Sequence, residues 1–131
     1  MIKEGKIHKL KYIRNILVGG APLSRMEFNE LAQIDTNIYQ TYGMTETVSH
    51  IALMPVKGVY EEGTYKCLPN IIISQDDEDC LGINGAVTNH ARLITNDIVE
   101  LIDDQTFRWI GRRATVINSA GIKIHPESLE K

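Results

Sequence analysis

The run Ile16-Leu17-Val18, broken at once by Gly19-Gly20-Ala21-Pro22, constrains the fold most strongly. Three successive apolar residues read as a buried strand, and two glycines followed by a proline cannot extend it, so the chain must leave the sheet there. A helix is expected directly afterwards. Ser24-Arg25-Met26-Glu27 has capping-box spacing, with Ser24 as N-cap and Glu27 reaching back, and Met26, Phe28 and Leu31 supply apolar contacts through about Gln33. The β-prone stretch Asn37-Ile38-Tyr39-Gln40-Thr41-Tyr42 then gives a second strand. Strand, loop, helix, strand is an α/β unit. In such sheets ligands gather where strands end and loops begin, so the glycine-bearing loops after Val18 and after Tyr42 are both candidate sites.

From Val48 onward the pattern changes to short β-like runs at residues 48–53, 65–68, 71–74, 81–83, 98–102 and 107–110, separated by turn residues. That spacing predicts an antiparallel meander or barrel. The fold class is therefore α/β, with an α/β unit followed by a β-rich, barrel-like subdomain. Asp76-Asp77-Glu78-Asp79 lacks the spaced ligands of a calcium loop and reads as a solvated hairpin tip, and Asp103-Asp104 reads as a turn. Trp109 and Phe107 read as core of the last strands.

With 131 residues, of which 43% are hydrophobic, the chain can bury one core and is too short for two full domains. A net charge of −3 with the two signs interspersed argues against a nucleic acid or an anionic membrane as partner. Small molecules fit better. No apolar run approaches the length of a membrane span or a secretion signal, which makes a cytoplasmic location the expectation. Cys67 and Cys80 show no metal-ligand spacing and read as reduced structural thiols. The sequence leaves the oligomeric state open.

Tyr42-Gly43-Met44-Thr45-Glu46 places a ring, a glycine, a hydroxyl and a carboxylate within five residues, a set able to hold a nucleotide. Tyr42 can stack on a purine, Gly43 lets the backbone approach, Thr45 can donate to a phosphate oxygen and Glu46 can ligate Mg²⁺. The plain alternative is a strand ending in a turn whose tyrosine packs inward and whose glutamate is solvated. A further polar constellation follows: Asn96-Asp97, then Arg112 fifteen residues after Asp97, then Asn118-Ser119-Ala120-Gly121-Ile122-Lys123-Ile124-His125-Pro126-Glu127.

Taken in order, Gly19-Gly20-Ala21, the Tyr42–Glu46 motif, Asp97, Arg112 and the Asn118–Glu127 stretch resemble the core motifs of the acyl-adenylate-forming superfamily, which includes acyl-CoA synthetases. Within it, the wording from Tyr42 to His50 and the Val116–Pro126 ending are most similar to the 2-succinylbenzoate–CoA ligases of menaquinone biosynthesis. The resemblance implies ATP (leaving AMP), Mg²⁺ and a small carboxylic acid as ligands, with CoA as co-substrate. It makes Gly19, Gly20 and Ala21 the loop lining the acyl and adenine pocket, puts Gln40 and Thr41 beside the adenine edge, and makes Tyr42 the stacking ring within Tyr42-Gly43-Met44. Thr45 becomes the phosphate contact and Glu46 the Mg²⁺ ligand. Asp97 becomes the carboxylate holding the ribose hydroxyls, and Arg112 the permanent cation near ribose and phosphate, so that Thr45, Glu46 and Arg112 form the catalytic set. The structural rivals are that Asp97 caps a turn, Arg112 pairs on the surface and Tyr42 is core.

Strand alternation after the motif points Ser49 or His50 toward the acyl pocket beside Gly20, where a hydroxyl or imidazole suits an aromatic acid with a second carboxylate better than a fatty acid. Two positions depart from the family pattern: Asn96 stands where glycine is usual, and Ala114 stands at the hinge where Asp or Lys is common. The family's phosphate-wrapping loop and catalytic lysine are not found in these 131 residues. The chain is therefore expected to be an internal segment of the large domain: residues 1–47 the end of the nucleotide- and acyl-binding subdomain, 48–111 the β-rich subdomain, and 112–131 the hinge and start of a small domain. The isolated segment is expected to be inactive. The competing class is a non-catalytic nucleotide-binding or interaction module on the same fold.

Overall fold

The structure, a computed structural model, describes residues 10, 12–57 and 63–114, together with the backbone of 115, 117–119 and 122–124. The α/β unit forms as the sequence predicts. Strand β1 (Asn15–Val18) leads through helix α1 (Arg25–Ala32) to β2 (Asn37–Gly43), and β1 and β2 pair in parallel, Ile16 opposite Ile38 and Val18 opposite Gln40. Helix α1 starts where it does because Ser24 Oγ accepts from the Glu27 amide while the Glu27 carboxylate accepts from the Ser24 amide at 2.9 Å, so two orphan donors of the first turn are satisfied. The helix buries Phe28 and Leu31 on the sheet, and each such side chain contributes about 1.5–3 kcal/mol by leaving water.

The second half continues the same sheet. Strands β3 (His50–Pro55), β4 (Thr64–Cys67), β5 (Ile72–Gln75), β6 (Cys80–Asn84), β7 (Leu93–Leu101) and β8 (Thr106–Arg112) pair antiparallel, giving eight strands in the order β1-β2-β3-β4-β8-β7-β6-β5. Its core holds Ile38, Ile51, Val56, Leu81, Ile83 and Phe107, with Tyr42 and Tyr65 closing around Phe107. A short hairpin of β9 (Ile117–Ser119) and β10 (Ile122–Ile124) follows. The expected approach of residues 118–121 to a reacting centre and the helix expected from Pro126 lie outside the described residues.

Two strand starts differ from the sequence reading by two residues or more. The run expected from Val48 begins at His50, because Val48 takes φ 64°, a left-handed conformation in which a β-branched residue cannot continue a strand. Strand β7 begins at Leu93 rather than near Ile98. Its inward positions Thr95 and Asp97 are polar, so the apolar alternation that reveals a half-buried strand is missing there. The acidic turn is a hairpin tip: the Asp76 carboxylate accepts from the amides of Cys80 and Glu78, which closes the turn and holds its pKa below the usual aspartate range. Cys67 and Cys80 are buried free thiols, and desolvation, with the charge of Asp103 second, pushes Cys67 up to about 11. Among the described residues no helix is long and apolar enough to cross a membrane.

Candidate functional site

The ends of β1, β2 and β8 meet the middle of β7. The ends of β1 and β2 open onto a cavity of about 380 Å³ whose wall carries Gly20, Ala21, Gln40, Thr41, Tyr42, Gly43 and Met44, and across it stand Asp97 of β7 and Arg112 of β8. Residues more than fifty positions apart in the chain thus face one space. Gly20 takes φ +100°, which a side chain would strain. Gln40, 2% exposed, pins the loop by donating from its amide to the Ala21 carbonyl at 3.2 Å. Gly43 sits at a bulge where β2 slips register against β3, and a Cβ there would come within 2.5 Å of the Ser49 carbonyl oxygen and 2.6 Å of the His50 Cα.

Asp97 is the electrostatic centre of the wall. Its carboxylate is 6% exposed, and Oδ2 accepts from the Tyr42 hydroxyl at 2.6 Å. Arg112, directly opposite in the β7–β8 register, brings Nε to 3.2 Å from Oδ1, yet Oδ1 accepts no hydrogen bond. A buried carboxylate oxygen keeping unspent acceptor capacity beside a cavity is unusual, and a donor from a ligand would satisfy it. Burial first, and the Asp97 charge second, drive the Tyr42 hydroxyl far above the ordinary tyrosine range, so it remains a donor.

A second cavity of about 510 Å³ shares Gly20, Thr41, Gly43 and Met44 with the first and adds Thr45, Val48, Ser49 and His50. Ser49 Oγ lies 3.2 Å from His50 Nδ1, so the two side chains form one polar pair. The motif turn itself is organised by Thr47, which sequence reasoning passed over. Fully buried, its hydroxyl oxygen accepts from the Met44 amide at 3.1 Å and lies 2.7 Å from the Ser49 carbonyl, linking the 3₁₀ turn Thr45–Thr47 to the start of β3. The strained Val48 is the joint between them, and such strain tends to sit beside functional sites.

Three anticipated residues are not on either wall. Gly19 lies behind, where a Cβ would meet Thr41 Oγ1 at 2.5 Å, while Glu46 is exposed and Ala114 is exposed in the 3₁₀ turn Arg113–Thr115. Among the described residues no group of three or more His, Cys, Asp or Glu could hold a metal, so Glu46 could contribute a single ligand to a Mg²⁺ carried mainly by phosphates. Conversely, Tyr65 and Trp109 line the first cavity, so Trp109 is wall as well as packing, and no sequence motif marked either. Asn96 has a partner in Arg113, whose Nη2 donates to Oδ1 at 3.0 Å while Nη1 lies 3.4 Å from Glu78.

Comparison with known proteins agrees with this arrangement. No family model matches the chain. It is 42% identical to an acyl-CoA synthetase (AMP-forming)/AMP-acid ligase II-like protein from Dyadobacter fermentans, whose structure it matches with a TM-score of 0.72 over 88% of this chain and 33% of that one. The chain has the fold of a segment of the acyl-adenylate-forming large domain. Among curated proteins, the 2-succinylbenzoate–CoA ligase of Listeria monocytogenes is 30% identical across 95% of this chain and 31% of the ligase. The o-succinylbenzoate CoA synthetase of Bacillus subtilis, solved in complex with ATP and magnesium ion, shares the fold at 24% identity with a TM-score of 0.71, over 97% of this chain and 34% of that one. The chain thus spans about a third of the length of the synthetases it matches.

Proposed function

We propose that this chain forms the nucleotide- and acyl-binding part of an ATP-dependent carboxylic acid–CoA ligase, which joins an acid to AMP with release of pyrophosphate and then passes the acyl group to the CoA thiol. The observation that carries the reading is Asp97: a buried carboxylate with an unspent oxygen, opposite the permanent charge of Arg112, on a cavity whose other wall is the glycine-bearing ends of β1 and β2. A ribose diol supplies the donors that Oδ1 lacks. Gly20, Ala21, Gly43 and Met44 shape the purine's surroundings, Gln40 and Thr41 stand at its edge, and Thr45 faces the phosphates. Glu46 would complete the coordination of a phosphate-bound Mg²⁺, and Arg112 would meet charge developing on the acyl phosphate.

The proposed acid is 2-succinylbenzoate. Ser49 and His50 line the second cavity together with Gly20, and a hydroxyl and an imidazole there provide donors for a second carboxylate, which a long alkyl chain would leave unsatisfied. The proposed division makes residues 1–47 the end of the nucleotide- and acyl-binding subdomain, 48–111 the β-rich subdomain, and 112–131 the hinge, at Ala114, and the start of a small domain. The test is an AMP-forming ligation assay of the full reading frame that contains this chain, with 2-succinylbenzoate, benzoate and a medium-chain fatty acid, repeated with Ser49→Ala and His50→Ala. Preference for 2-succinylbenzoate that weakens in either variant supports the assignment. Preference for the fatty acid contradicts it, and unchanged selectivity in both variants contradicts the role of this pair.

A further inference from the structure

Asp97 is presented by an irregular piece of strand. Cys80 and Gly82 of β6 pair with Ile98 and Ile94 of β7, so three residues, Thr95, Asn96 and Asp97, stand opposite Leu81 alone. Such a bulge interrupts the ladder and re-aims side chains, and whatever fixes it fixes the direction of Asp97. Two side-chain bonds hold it. Within the bulge, Thr95 Oγ1 accepts from the Asp97 amide at 3.0 Å. From outside it, Arg113 Nη2 donates to Asn96 Oδ1 at 3.0 Å while Nη1 lies 3.4 Å from Glu78 Oε2. Glu78 itself sits on an anchored turn, since the Asp76 carboxylate accepts from the Glu78 and Cys80 amides and the Asp79 carbonyl accepts from the Val99 amide at 3.0 Å. Arg113 therefore ties the bulge to a fixed point. Consecutive arginines reach consecutive residues of β7, Arg112 pairing with Asp97 on the cavity wall and Arg113 with Asn96, which lines neither cavity.

From this geometry we propose that Arg113 is a positioning residue: braced by Glu78, it holds Asn96 and so sets the bulge that turns Asp97 toward the vicinal diol of a ribonucleotide. The proposal rests on the nucleotide reading given above and deepens it. It makes selectivity for a ribose depend on a residue outside both cavities, and it gives a task to Asn96, which sequence reading marked only as a departure from glycine. A glycine there would offer Arg113 no side-chain acceptor. Without the Arg113–Asn96 bond the bulge relaxes and the diol loses part of its hold, while purine and phosphate contacts persist.

The experiment titrates the 131-residue chain, its Arg113→Ala and Asn96→Ala variants and the double variant with AMP and with 2′,3′-dideoxy-AMP, which lacks the diol. The unaltered chain should prefer AMP by about tenfold or more, the scale of hydrogen bonds to a charged acceptor. In each single variant that preference should fall by about threefold, the scale of one exposed contact. The double variant should lose no more than either single one, because both substitutions delete the same bond. Loss of the Arg113 charge by itself weakens both phosphate-bearing nucleotides alike, so the ratio separates positioning from simple attraction. Affinity for the dideoxy nucleotide should also hold within about twofold in Asn96→Ala, which removes no charge. A ratio undiminished in either single variant, or losses that add in the double variant, overturns the positioning role and leaves the diol reading standing. Failure of the unaltered chain to discriminate overturns that reading and the proposal with it. Should one single variant not fold, the other reads the same ratio and decides alone.

Discussion

Asp97 is held by a tyrosine hydroxyl on one oxygen and approached by an arginine at the other, so its removal has two separable effects. Asp97→Ala should weaken AMP binding at least about tenfold by deleting charged-acceptor hydrogen bonds. It should also delete the buried hydrogen bond from the Tyr42 hydroxyl, which costs about 1–3 kcal/mol of stability and is readable as a lowered denaturation midpoint. An unchanged AMP affinity would contradict the diol assignment. Two glycines on the wall differ in kind. At Gly20 a Cβ meets nothing within 4 Å, so Gly20→Ala should cost only the left-handed backbone strain, about 1–2 kcal/mol. At Gly43 the Cβ meets backbone of Ser49 and His50, which cannot turn aside. Gly43→Ala should therefore destabilise more than Gly20→Ala in chemical denaturation and disturb the bulge shared by the two cavities, and the reverse order would contradict the close approach.

Helix α1 is the element whose origin the sequence reveals most directly, because a capping box is a local device: Ser24 and Glu27 satisfy one another without help from the rest of the chain. Ser24→Ala should destabilise the protein at neutral pH by about 1 kcal/mol, the usual cost of losing an N-cap. The pH dependence has a definite sign. The hydrogen bonds from Ser24 hold the Glu27 carboxyl below its ordinary value of 4.5, so their stabilisation is present above that value and fades as pH falls through the depressed one. The difference between parent and variant in thermal melts should accordingly shrink toward pH 3, and a difference that grew on acidification would contradict the cap. Strand β7 is the opposite case. Its first half was illegible because Thr95 and Asp97, both polar, occupy inward positions: Asp97 faces the cavity and Thr95 Oγ1 accepts from the Asp97 amide. Asp97 was recognisable from its motif, but the length of the strand that presents it was not. Tyr65 and Trp109 were missed for a related reason: they reach the wall through pairing of β4 with β8, a long-range register that no local pattern encodes.

Across the whole molecule, the α/β unit and the antiparallel strands form one continuous sheet, and the cavity lies where the two halves meet. The sequence separated these halves by their periodicity and placed both binding loops at strand ends, while β2–β3 pairing, which joins the halves, appeared only in three dimensions. One sheet with one core should open as a unit. Cys67 and Cys80 are buried on β4 and β6 in the antiparallel half, and burial keeps Cys67 protonated near neutral pH, so alkylation of the two thiols should proceed at a common rate set by global unfolding. Rapid labelling of one alone in the folded protein would contradict this. The central claim is that the joined halves bind an adenine ribonucleotide between β1, β2, β7 and β8. Its most direct measurement is an amide-resonance titration of the 131-residue chain with AMP. Saturable shifts at Gly20, Tyr42, Gly43, Asp97 and Arg112 that Asp97→Ala abolishes are the predicted result, whereas no shifts at millimolar AMP, or shifts confined to other surfaces, would contradict it.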